Sequence, residues 1–165
     1  MEHGKPRSLI EEELRNVRDD RVVQHVRSLL VEPRGEFRNW DYGAPNERYL
    51  CWIVLEHKSG TGIAYCEEGF GPRCPWGLVS AGGEGGYNSI GQDSGWHPTF
   101  MDAYFDSSVS TDLPIWRLFS LDDGWPGQPL TEELSWTDVW KRHEAALQGN
   151  PGSKFGVHHT IHYRA

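Results

Sequence analysis

The sequence predicts an α+β fold: a mainly antiparallel sheet of about five strands, flanked by N-terminal, central and C-terminal helices. Three observations lead there. At 165 residues the chain has the length of one domain, expected over 1–165. Its strand-like segments are grouped between helical ones by hairpin-length links, without the βαβ alternation that parallel sheets need. And 8 Trp, 6 Tyr and 6 Phe supply more core material than a disordered chain carries.

Residues 8–31 are predicted helical. Ser8 and Glu11 fit a capping box, and apolar residues recur at Ile10, Leu14 and Val17, then at Val22, Val26, Leu29 and Leu30. Asp19 and Asp20 invite a break into two helices, and Pro33 ends the second. Residues 34–48, with Gly35, Gly43 and Pro45, are expected to form a loop. Residues 49–56 are almost uniformly apolar and predict a strand buried on both faces. Residues 61–67 predict its hairpin partner, and 76–81 a third strand after the Gly/Pro-rich link 69–75. The run GGEGG at 82–86 is expected to be a turn or loop.

Further along, 98–109 predicts a short helix with Pro98 in its first turn, and 113–121 a strand that Pro114 places at an edge or a start. Residues 131–148 predict a C-terminal helix with Trp136, Val139, Trp140, His143 and Leu147 as its apolar stripe, stopped by Gly149 and Pro151. The tail 155–163 alternates like a final strand.

The net charge of −8 is concentrated in one stretch. Residues 1–48 hold 9 bases and 10 acids, whereas 84–138 hold 10 acids and the single base Arg117. Such a balance argues against a nucleic-acid or anionic-membrane binder, since both need positive charge facing phosphate. No apolar run is long enough to span a bilayer, and the N-terminus lacks the apolar core of a signal peptide. A soluble, cytoplasmic protein is the expectation.

Chemical motifs are sparse, and no catalytic residue, metal site or cofactor is assigned. Cys51, Cys66 and Cys74 form no CxxC pair and read as reduced thiols. If 49–67 is a hairpin closed around residues 57–60, residues whose numbers sum to 117 face each other, which sets Cys51 against Cys66 and Trp52 against Tyr65. His158 and His162, on a strand, stand about 13 Å apart with His159 on the opposite side, too dispersed for one metal. Asp41, Glu56 and Lys58 sketch the D…ExK arrangement of Mg²⁺-dependent nucleases, but Ser59 and Gly60 put it at a hairpin tip. Cys66 or Cys74 with His97 and Asp93 can be written as a thiol triad, without any helix N-terminus to lower the thiol pKa.

What remains is acidity interleaved with aromatics. Two tryptophans stand in loops of Gly, Pro and Asp: Trp96 in QDSGWHP and Trp125 in LDDGWPGQP. Tryptophan is a preferred interface anchor, and surface carboxylates speed capture of a basic partner. The candidate partner-binding residues are therefore Asp93, Trp96, Asp102, Asp106, Asp122, Asp123 and Trp125. In size, charge and absence of catalytic motifs the chain resembles, at class level only, the small acidic immunity proteins that block nucleic-acid-directed bacterial toxins. The expectation is a non-enzymatic binding protein with a basic protein partner. The alternatives are a small hydrolase or nuclease with an unrecognised site, or a ligand-binding domain with a lid at 82–95.

Overall fold

The periodicity of the N-terminal segment resolves into two helices, and the acidic pair predicted to divide them does so. The computed structural model describes residues 4–81 and 88–159. The GGEGG run, Glu84, Tyr87 and the end of the tail with His162 lie outside these residues. Helix α1, Lys5–Asn16, carries Pro6 in its first turn and buries Ile10 and Leu14. Helix α2, Asp20–Leu29, is capped by Asp19, whose carboxylate accepts the Arg21 N–H at 2.9 Å, and buries Val22 and Val26.

The chain divides into two compact units, the first ending at Ser110 and the second beginning at Thr111. The first holds an antiparallel five-stranded sheet in the order β1-β2-β3-β4-β5. Its strands are β1 Leu30–Asn39, β2 Arg48–Glu56, β3 Thr61–Tyr65, β4 Trp76–Ser80 and β5 Trp96–His97. Strand β1 corrects the expectation of a loop from residue 34. It is an edge strand, so Pro33 sits where no ladder donor is required, and the register slips between Leu30 and Arg34. Edge strands tolerate the Pro and Gly that read as loop signals in a sequence.

Both faces of β2 are buried, as its uniform apolarity predicts: Cys51, Trp52, Ile53, Val54 and Leu55 are all inaccessible or nearly so. Opposed Trp52 and Tyr65 lie on one face, and Tyr65, Trp76 and Phe100 follow one another with ring centroids 4.8 and 5.4 Å apart. Phe100 opens helix α3, Phe100–Asp106, which is shorter than predicted because Thr99 supplies its cap and leaves Pro98 outside. Glu13 of α1 reaches over to accept the Phe100 and Met101 N–H groups at 3.0 and 2.9 Å, tying α1 to the start of α3. A second cluster is formed by Cys51, Ile53, Ala64, Cys66, Val79, Ile90 and Trp96, with Trp40, Tyr49, Phe70 and Cys74 packed against it. At roughly 1.5–3 kcal/mol per buried large side chain, the two clusters dominate the stability of this unit.

The second unit is built on a three-stranded antiparallel sheet in the order β7-β6-β8, from β6 Trp116–Ser120, β7 Gln128–Pro129 and β8 Phe155–His159. Helix α4, Trp136–Gly149, begins five residues later than its periodicity suggests. The reason is Ser135, whose hydroxyl accepts the Asp138 N–H at 3.1 Å and so fixes the first turn. Val139 of its stripe is fully buried, whereas Trp140 and Leu147 are exposed. Among the described residues no helix is long and apolar enough to cross a membrane.

Candidate functional site

Strand β6 is followed by a loop that its own backbone clamps. Leu121 N–H donates to the Lys154 carbonyl at 2.8 Å, and Gly124 N–H returns to the Leu121 carbonyl at 3.0 Å. That tight turn needs Gly124, whose φ is +93°. Asp122 Oδ1 accepts the Lys154 N–H at 2.7 Å, which pins the loop to the approach of β8. At the other end Gly127 lies so close to the Ser120 carbonyl that a Cβ would overlap it. The result is a fixed loop that presents Asp122, Asp123 and Trp125 in solvent.

Trp125 is 65% exposed, the second most exposed large hydrophobic side chain among the described residues after Tyr42. Its ring stands edge-on to His158, with centroids 4.8 Å apart and planes at 67°. The hydrogen bond from the Lys154 N–H, followed by that from Ser153, holds the Asp122 carboxyl below the usual carboxylate range. The loop therefore stays anionic at any physiological pH.

His158 and His159 do not point apart as an ideal strand would have it. His158 Nδ1 lies 2.7 Å from the His159 carbonyl oxygen at the end of β8, and the two rings are 4.3 Å apart. From there the rings continue through Trp116 and Trp136 to Trp140 and His143, each within 6.0 Å of the next. Trp125 is thus one end of a continuous aromatic belt on this unit. The helical spacing of Trp140 predicts a core residue; its place beside a small sheet leaves it 39% exposed.

Trp96 behaves differently from Trp125. It is 4% exposed, and its Nε1–H donates to the Ile90 carbonyl at 2.6 Å. Its ring lies over Gly77, where a Cβ would collide with it. A partner has no access to this side chain; it belongs to the core of the first unit. Asp93, Asp102 and Asp106 are exposed on the same unit, at a 3₁₀ turn and on α3, and His97 Nε2 lies 3.3 Å from Asp106 Oδ2. The seven candidates are therefore divided: Asp122, Asp123 and Trp125 share one anchored loop, while the three remaining acids and Trp96 belong to the first unit.

The other chemical readings find little support in the geometry. Glu56 is held by Arg34 at 2.7 Å, which occupies the carboxylate a nuclease would give to Mg²⁺. His97 meets Asp106 rather than a thiol-and-Asp93 arrangement. Among the described residues no three His, Cys, Asp or Glu side chains converge as metal ligands. An open cleft of about 410 Å³ at the β2–β3 turn is lined by Ser59, Thr61, Ser80, Asp106 and Ser108. Its hydroxyls bond chiefly one another, with His57 Nδ1 at 2.8 Å from Ser59 Oγ. In comparisons with known proteins the chain matches no family model, no curated protein and no solved structure.

Proposed function

We propose that this chain is a non-enzymatic binding protein that captures a basic protein partner through the Asp122–Asp123–Trp125 loop of its second unit. The observation that carries the reading is the combination of exposure with anchoring at Trp125. A large apolar ring held in water on a mobile loop would lose conformational freedom on binding. On a loop already fixed by the backbone bonds at Leu121, Gly124 and Lys154, that cost has been met during folding. Buried in a partner's pocket, such a tryptophan contributes about 2 kcal/mol or more.

The carboxylates have a separate role. Asp122 and Asp123 favour a cationic rim around that pocket, and the further acids Asp93, Asp102 and Asp106 add to the long-range attraction that speeds encounter. Within this reading, neutralisation of a basic, nucleic-acid-directed toxin is the specific role proposed, because such toxins carry cationic surfaces shaped for phosphate. Occlusion of that surface requires no chemistry from the inhibitor.

The test is a binding titration against a purified basic, nucleic-acid-directed toxin domain, taken from the neighbouring reading frame where one is encoded there, at about 50 and about 500 mM salt. Affinity is expected to weaken with salt and to weaken again on reversing Asp122 and Asp123 to Lys. An affinity indifferent to both would remove the acidic loop from the mechanism, and failure of co-expression to rescue growth would remove the toxin.

A further inference from the structure

The first unit contains a second chemical feature, independent of the binding loop. The register sets Trp52 against Tyr65, and Cys51 and Cys66 are the next residues beyond that pair, Cys66 one past the end of β3. Both thiols are buried, at 0% and 1% exposure, and both belong to the same apolar cluster. They hydrogen-bond to each other, and the Cys66 sulfur also accepts the backbone N–H groups of Glu68 and Gly69. Several donors on one sulfur favour its thiolate, and Cys51 correspondingly keeps its proton. Directly opposed residues of antiparallel strands have Cα atoms about 4.5–5.5 Å apart, within the span of about 4.4–6.8 Å that a disulfide requires.

The pair is covered by chain without regular secondary structure. The covering chain is the irregular segment between β3 and β4, and Gly69 stands directly over Cys66, with its Cβ position 3.5 Å from the sulfur. A hydrogen atom therefore occupies the place where any other residue would put a side chain. Both sulfurs are inaccessible in the closed structure, so a small oxidant reaches them when this irregular segment opens locally.

We propose that Cys51 and Cys66 form a reversible oxidative staple, closed by a hydroperoxide. The Cys66 thiolate attacks one oxygen of hydrogen peroxide, the O–O bond breaks, and with one proton taken up water leaves and Cys66 becomes a sulfenic acid. The Cys51 sulfur then attacks the Cys66 sulfur, the S–O bond breaks, and the second water carries away the Cys51 proton. Two thiols and one peroxide give one disulfide and two waters. The new bond fastens β2 to the start of the covering segment, so that the oxidation state of the pair controls how readily that segment opens.

The experiment uses the full-length, fully reduced chain, exposed to hydrogen peroxide in native buffer, alkylated and mapped by mass spectrometry. Free thiols are expected to fall from three to one, with a Cys51–Cys66 linked peptide as the main product and full recovery in dithiothreitol. The Cys74→Ser variant alters only the half-buried third thiol and should lose both remaining thiols to the same link. Oxidation confined to Cys74, a Cys66–Cys74 product, or a Cys51–Cys66 link that forms only in denaturant would each overturn the proposal.

Discussion

Two loops of this molecule are written almost alike and end in opposite environments. Trp96 follows Asp-Ser-Gly and precedes His-Pro; Trp125 follows Asp-Asp-Gly and precedes Pro-Gly. The first is 4% exposed and the second 65%. The difference lies in what each ring meets. Trp96 finds the flat seat left by Gly77 on β4, a carbonyl at Ile90 for its indole N–H, and Phe70 at 5.8 Å. Trp125 meets the edge of His158, on a sheet of three short strands that leaves most of its ring in water. Trp96, expected in a loop, opens strand β5 and is buried against the missing side chain of its β4 partner Gly77, not by its own local sequence.

Removing the buried ring should separate the two loops most strongly. Trp96→Ala is expected to cost about 3–5 kcal/mol in urea unfolding, whereas Trp125→Ala should stay within about 0.5 kcal/mol. Equal costs would mean that the two loops are not energetically distinct. Next comes the seat itself: Gly77→Ala puts a methyl into the Trp96 ring and should cost about 3 kcal/mol, read by the same unfolding curves and by a rise in Trp fluorescence accessibility to iodide.

On the binding side the order reverses. Trp125→Ala should weaken affinity for a basic partner by about 2 kcal/mol, near thirtyfold, with the melting temperature unchanged. A conservative variant at the buried site, Trp96→Phe, should leave affinity untouched. The smallest effect belongs to Asp122. Its folded pKa lies below its ordinary value, so the stability it contributes is present above the unfolded pKa and is lost as pH falls through the folded one. The wild type should therefore lose its advantage over Asp122→Asn as pH is lowered below about 4, measured as the difference between their melting temperatures.

Much of the scaffold is legible in the sequence alone. The split at Asp19–Asp20 and the buried β2 follow from local chemistry, and the expected sum of 117 holds at Trp52↔Tyr65 and Ile53↔Ala64 but not beside the turn. A bulge then shifts Leu55 onto Ile63, which no pattern of period two announces. Strand β1 is obscured by Pro33 and Gly35, residues that an edge position accommodates. The start of α4 is obscured because a serine cap outweighs the acidic residues upstream of it. Part of the candidate site is legible too, since Asp122, Asp123 and Trp125 are close enough in sequence to share one loop. Trp140 and His158 are not legible as its neighbours, since helical and strand spacing alone assign them elsewhere.

Local chemistry thus accounts for the α+β class and the concentration of acidity in one stretch. Each of these depends on residues near in the chain or paired across one short turn, where periodicity and register suffice. Which tryptophan is core and which is surface follows only from the packing of distant elements. That outcome rests on a glycine nineteen positions away from Trp96, on a neighbouring strand, and burial is a property of the space between elements rather than of either element.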